Sequence, residues 1–252
     1  EIMINSAGEQ ISFCRICDSK NIVKFLSLGN QPVCDNFLKK SELENKEPKY
    51  PLELYFCNDC TLVQLGYTVP KEEMFLDYVY TSGSTKPLEE YFELIAKNIV
   101  HQFSLSQKDL VLDIGSNDGT FLSKFKKLGL KTLGVDPGIK QAQLAKEKGI
   151  ETINTFFNES LADSILEKYE KPRIISAAGV FFHLEELHSV VKGIKKLLTT
   201  DGVFIVQATY LPSIIEKTAF DMVYHEHLVY YTIKTLEKLF SAHGLTIFDV
   251  ER

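Results

Sequence analysis

The chain has 252 residues, 44% hydrophobic and 25% charged, with a net charge of −6. That balance is ordinary for a globular protein, and the length accommodates one large domain or two smaller ones. No apolar run reaches the roughly 18–20 residues that span a bilayer, no segment has the layout of a secretory leader, and Lys and Arg are scattered among acids rather than gathered into a basic face. The expectation is a soluble, cytoplasmic protein whose partner is a small molecule, with no nucleic acid and no membrane. The first residue is Glu1, which reads as a processed or trimmed chain.

Residues 11–70 form a distinct unit with short β-like runs at Val23–Leu28, Leu52–Phe56 and Leu62–Leu65 and a polar segment at 37–49 that reads as a loop or short helix. Its apolar content is too thin for a stable core of its own. All five cysteines fall here: Cys14, Cys17, Cys34, Cys57 and Cys60. Two Cys-x-x-Cys hooks, 14–17 and 57–60, offer four thiolates on two tight turns, which is a tetrahedral zinc set. A closed four-ligand set leaves no open position, so the zinc is expected to be structural. Cys34 is left over and reads as a small, buried apolar residue.

Residues 71–252 read as a second domain. Leu88, Tyr91, Phe92, Ile95 and Ile99 fall at helical spacing behind Pro87. Strands at Leu110–Ile114, Thr132–Val135, Glu151–Asn154, Ile174–Ala177 and Val203–Gln207 then alternate with helices at Thr120–Leu128, Lys140–Lys148, Glu159–Tyr169 and Leu184–Leu198. A helix at Lys234–Ala242 and a last strand at Leu245–Val250 complete the pattern. Alternation of this kind predicts an α/β fold, a mostly parallel sheet with helices on both faces.

The first strand runs into Asp113-Ile114-Gly115-Ser116-Asn117-Asp118-Gly119, a glycine turn that lets a ligand approach the backbone. The turn is acidic and lacks the full dinucleotide spacing, so it suits a ligand with a cationic amino group better than a diphosphate. The second strand ends in Asp136-Pro137, where a carboxylate can accept from ribose hydroxyls. In order and spacing the set resembles the first motifs of class I, Rossmann-like methyltransferases, which implies S-adenosylmethionine held by Asp113, Gly115, Asn117, Asp136 and Pro137. Phe156 is a candidate neighbour of the adenine, or a core residue.

Tyr224-His225-Glu226-His227 follows the strand Val203–Gln207, and a histidine there can remove a carbon-bound proton. A zinc site at His225 and His227 and a solvated turn are the competing readings. His183 lies after the strand at Ile174–Ala177.

Taken with Leu28-Gly29-Asn30-Gln31-Pro32, Leu62-Val63-Gln64-Leu65 and Tyr78-Val79-Tyr80-Thr81-Ser82, these motifs resemble the nucleotide-linked 4-keto-deoxysugar C-methyltransferases. The resemblance implies deprotonation at C3 beside a 4-keto group and attack of the enolate on the sulfonium methyl. It implies His227 as general base, Glu226 as its partner or a sugar contact, and Tyr224, His183 and Tyr78 near the sugar, with a nucleotide-diphosphate 4-keto-sugar as substrate. This chain departs from the family pattern at Gly179 and Gln207, and it lacks the family's C-terminal lobe. Methylation of oxygen or nitrogen on another small molecule, or donor binding without turnover, are the alternatives.

Overall fold

The computed structural model describes residues 8–35 and 37–251. They fall into two compact units. The first runs to Met74 and takes up Phe182–His188 and the chain from Ala208 onward; the second comprises Phe75–Phe181 and Ser189–Gln207.

The first unit begins as a set of antiparallel strands. These are β1 (Glu9–Gln10), β2 (Ile22–Gln31), β3 (Tyr50–Cys57), β4 (Val63–Leu65) and β5 (Tyr67–Thr68). β2, β3 and β4 pair in sequence, and β1 pairs with β5. The polar 37–49 segment holds one 3-10 turn, Lys40–Glu42. A short helix, α1 (Lys71–Phe75), ends this stretch.

The second unit is the α/β layer structure. It opens with α2 (Lys86–Gln102), which has a proline in its first turn and buries Phe92, Ala96 and Ile99 at helical spacing. Then come β6 (Leu110–Ile114), α3 (Thr120–Lys127), β7 (Lys131–Val135), α4 (Ile139–Glu147), β8 (Thr152–Ile153), α5 (Glu159–Leu166), β9 (Ile174–Ala178), α6 (Leu187–Leu197) and β10 (Val203–Gln207). The five strands pair in parallel in the order β10-β9-β6-β7-β8. β6 is central, and all five of its residues are buried. The chain leaves β6 toward β7 on one side and returns through β9 on the other. This reversal opens a crevice at the carboxyl end of β6, the usual ligand position in such sheets. Phe92 packs on Phe121 with ring centroids 4.7 Å apart, within a cluster that includes Leu122, Phe125, Val111 and Ile174.

The chain then returns to the first unit with α7 (Leu211–Lys217), β11 (Val229–Tyr230) and α8 (Ile233–Ser241). β11 pairs with β4, so Val229 faces Gln64 and Tyr230 faces Val63. Leu52, Leu54, Val63, Leu65, Leu228 and Tyr230 form one core cluster. The core that residues 11–70 cannot supply alone is therefore finished by residues far along the chain, and the boundary of this unit differs from a simple cut near residue 70.

Three local expectations differ. The helix expected from Leu184 starts at Leu187, and Glu185 and Glu186 ahead of it meet Lys71 Nζ at 4.0 and 3.1 Å. Leu245–Val250 keeps an alternating pattern but pairs with no strand among the described residues. α7 and β11 were not anticipated; β11 is two residues long and gives no periodic signal. No helix among the described residues is long and apolar enough to cross a membrane.

Leu228 is fully buried in the shared cluster. Leu228→Ala is expected to lower unfolding free energy by about 3 kcal/mol, measured by urea titration; a loss below about 1 kcal/mol would show that this return segment is dispensable to the core.

Candidate functional site

The cysteine hooks come together in the first unit. The Sγ atoms of Cys14 and Cys60 are 3.4 Å apart, those of Cys17 and Cys57 are 3.6 Å apart, and all four lie within 4.8 Å of one another. Four thiolates about 2.3 Å from a tetrahedral zinc ion stand about 3.8 Å apart, so the donor set fits that ion. Both hooks close in the same way. Asp18 N donates to Cys14 O, Thr61 N donates to Cys57 O, and Asp18 and Thr61 both adopt the left-handed conformation, with φ of 55° and 66°. A hydrogen bond from Cys60 lowers the Cys14 thiol to about 5, while the same contact pushes Cys60 up. Cys34 is exposed rather than buried, which overturns its reading as a small core residue.

The glycine turn lies in the second unit at the carboxyl end of β6. Gly115, Asn117 and Gly119 all have positive φ. A Cβ on Gly115 would lie 2.7 Å from Val180, so that position has no room for a side chain. Asp136, at the end of β7, is 8% exposed and joins two turns: one oxygen accepts from Asn117 N and the other from Gly138 N, both at 2.8 Å. Burial pushes its pKa above the ordinary carboxylate value, and these two N–H groups oppose the rise. Pro137 holds the chain between the two contacts. Asp113 is buried within β6, accepts from Ser176 Oγ at 2.6 Å, and is raised by burial to about 7.

The side chains of the turn are largely engaged within the protein. Asp118 accepts from Thr120 and pairs with Lys148 at 2.8 Å. Asn117 Oδ1 accepts from Ser82 N, and Nδ2 donates to Tyr80 O at 3.2 Å. Asn117 thus fastens the segment that carries Tyr78. Gln141, a residue with no motif to mark it, donates to Tyr78 O and Tyr80 O at 2.6 and 3.0 Å. The only trace of it in the sequence is Gly138, three residues earlier. The Tyr78 ring is half-buried against Phe75. Phe156 is half-buried after β8, whereas Phe157 is in the core.

The histidine group belongs to the first unit. His225, Glu226 and His227 are 1%, 1% and 2% exposed, which removes the solvated-turn reading. His227 Nδ1 lies 2.9 Å from Met222 O. A carbonyl only accepts, so Nδ1 carries the proton and Nε2 keeps its lone pair. His225 Nε2 instead faces Tyr50 O at 3.1 Å. The two imidazoles serve different carbonyls and form no three-ligand group among the described residues. His183 stacks on His227 with centroids 5.2 Å apart, and Tyr224 lies 3.9 Å from His227 by the same measure. Burial lowers His227 to about 4, and burial with the neighbouring His227 lowers His183 to about 3. Burial and the charge of Glu226 hold the Tyr224 phenol well above its ordinary range.

A parallel sheet with a glycine turn after its central strand and a buried carboxylate after the next is the arrangement of Rossmann-like folds, and a family match makes it a class I, S-adenosylmethionine-dependent methyltransferase fold. A family described as "Methyltransferase domain" matches residues 88–250, and one described as "Putative zinc binding domain" matches residues 14–75. The chain belongs to that methyltransferase family. C-methyltransferase NovU of Streptomyces niveus is 30% identical over 240 residues, covering 95% of this chain; the chain spans 57% of that protein's length. A chain of the complex between the Haloferax volcanii Trm112 methyltransferase activator and its methyltransferase partner is similar in fold. There the identity is 15%, the coverage 66% of this chain and 74% of that one, and the TM-score 0.53.

The protein is expected to bind one zinc ion, and stripping it with a strong chelator should lower the melting temperature by about 10 °C or more. Unchanged melting after metal loss, verified by elemental analysis, would make the cysteine cluster a packing feature.

Acid should also destabilise the fold. Above the ordinary imidazole value of 6.5 neither state binds protons at His183 or His227; below it the unfolded chain binds protons that the folded one refuses down to about 3 at His183 and about 4 at His227. Stability therefore falls as pH drops through this window, by about 2 kcal/mol per imidazole at pH 5. Melting curves of the protein and of His183→Asn between pH 7 and 5 check this, the variant showing the shallower decline.

Proposed function

We propose that the chain carries the donor-binding and proton-abstracting machinery of a C-methyltransferase acting on a nucleotide-linked 4-keto-deoxysugar. The observation that carries the reading is the fixed tautomer of His227. Its Nδ1–H is held by Met222 O, so Nε2 is a neutral, buried base. Methylation at carbon requires removal of a carbon-bound proton, whereas methylation of an oxygen or nitrogen does not need such a base. The name of the Streptomyces niveus relative, a C-methyltransferase, supports the same choice. The zinc-binding stretch of residues 11–70 is then structural, and residues 71–252, which include the strand β11 that completes its sheet, carry the methyltransferase machinery.

In this reading His227 Nε2 takes the proton from C3, and the C–H electron pair becomes an enolate with charge on the C4 oxygen. An imidazole lowered to about 4 is a weak base. Its imidazolium is stabilised only as the neighbouring enolate charge develops, which favours the transition state over the resting enzyme. Tyr224 keeps its phenolic proton and can donate to the enolate oxygen. Glu226 serves as a partner of His227 or a contact for a sugar hydroxyl, and His183 and Tyr78 border the sugar. S-adenosylmethionine supplies an electrophilic methyl on sulfonium. Asp136 would accept from its ribose hydroxyls, and Asp113, Gly115, Asn117, Pro137 and Phe156 would shape the pocket that holds it. When bound, the donor would give up that methyl to the carbanion and leave as S-adenosylhomocysteine, the S–C electron pair staying on sulfur; the protein's share is to hold the acceptor carbon in line, which supplies much of the rate.

His227→Ala is expected to cut both methyl transfer and donor-free exchange of the C3 proton with deuterated water by at least about 100-fold. S-adenosylmethionine affinity, measured by calorimetry, should stay within a few-fold. A fully active variant would remove His227 as the base. Absence of exchange with every 4-keto sugar nucleotide in a panel would favour methylation at oxygen or nitrogen.

A further inference from the structure

Gln141 is 1% exposed, and its amide orientation is fixed by its partners. Nε2 donates to two carbonyls, Tyr78 O and Tyr80 O; reversing the amide would set oxygen against oxygen. Oε1 is therefore turned the other way, and it is buried without a hydrogen-bond donor among the described residues. Leaving such an atom unsatisfied is costly. A Cβ on Gly138 would lie 2.4 Å from Gln141 Oε1 and 3.0 Å from Asp136 Oδ1. The two acceptor oxygens thus flank one point, and glycine at 138 is what admits the amide beside the carboxylate. Gly138 has an ordinary φ of −67°, so this crowding, and not backbone conformation, calls for glycine. Asp136 Oδ1 already accepts from Gly138 N but keeps further lone-pair capacity, and beside it Gln141 Oε1 has no donor among the described residues; the converging pair suits a ligand hydroxyl.

The same amide holds the segment from Leu76 to Gly83. That segment has further ties to the donor turn: Ser82 N to Asn117 Oδ1, Gly83 N to Asp118 Oδ2 and Ile139 N to Leu76 O. All of these groups belong to the second unit.

We propose that Gln141 is a positioning residue that joins the Tyr78–Ser82 segment to the donor: its nitrogen holds the segment's carbonyls, and its oxygen accepts from a ribose hydroxyl beside Asp136. Occupancy of the donor site and the order of the segment carrying Tyr78 are then coupled, so each stabilises the other. This rests on the S-adenosylmethionine-binding fold of the unit and not on the identity of the methyl acceptor, so no sugar enters the test.

The test is hydrogen exchange of the amides from Tyr78 to Gly83 in the whole chain, read by mass spectrometry. S-adenosylhomocysteine should slow exchange of this segment. Its 2′,3′-dideoxy analogue at matched saturation should not. Gln141→Met should leave the segment fast with or without the nucleoside and raise the Kd for S-adenosylhomocysteine about tenfold. Equal protection by both nucleosides overturns the proposal, as does protection in Gln141→Met equal to that of the unaltered chain. If Gln141→Met fails to fold, the two nucleosides on the unaltered chain decide the matter alone.

Discussion

Two backbone N–H groups end on one buried carboxylate, and the geometry of the donor turn depends on it. Asp136 receives Asn117 N on one oxygen and Gly138 N on the other. The first contact fixes the turn after β6, and the second fixes the turn after β7. Asn117 has a positive φ of 50°, a conformation a non-glycine residue seldom holds without support. With its backbone anchored, its side chain is free to reach Ser82 and Tyr80. One carboxylate thus sets two turns directly and a third segment through Asn117.

Much of the second unit was legible in the sequence. β6 and β10 run over the residues their apolar patterns predicted, and the remaining strands and helices differ by a few residues at their ends. Parallel strands buried on both faces read as continuous apolar runs, so local pattern and tertiary role agree there. The first unit was less legible. Its sheet is completed by β11, whose two residues pair with β4; a partner so remote and so short leaves no local trace. Leu245–Val250 shows the opposite failure, a strand-like alternation that pairs with no strand among the described residues.

The site divides in the same way. The cysteine spacing announced the cluster, because two hooks of that length leave few alternatives. The acidic character of the glycine turn proved less specific as a ligand signal. Asp118 answers to Lys148 and Thr120, and Asn117 to the 80–82 backbone. These residues are polar chiefly because a tight turn needs internal hydrogen-bond partners. Gln141 was invisible because its neighbours in space, Tyr78 and Tyr80, are contacted through backbone carbonyls, which carry no side-chain identity. The tautomer of His227 was equally out of reach, since it depends on the carbonyl of Met222 five residues earlier and on the fold of that turn.

The pairing of β11 with β4 has a consequence for how the protein is made. A nascent chain emerges from its amino end, and domains tend to fold in that order. The cysteine hooks are synthesised long before Val229 and Tyr230, the residues that finish their sheet. Until those residues leave the ribosome, β4 presents an open edge and Leu65 lacks the backbone carbonyl of Leu228 that its N–H will meet. The metal-bound hooks are then the natural device for keeping the early strands in register through that delay, a form of molecular patience built into the order of the gene.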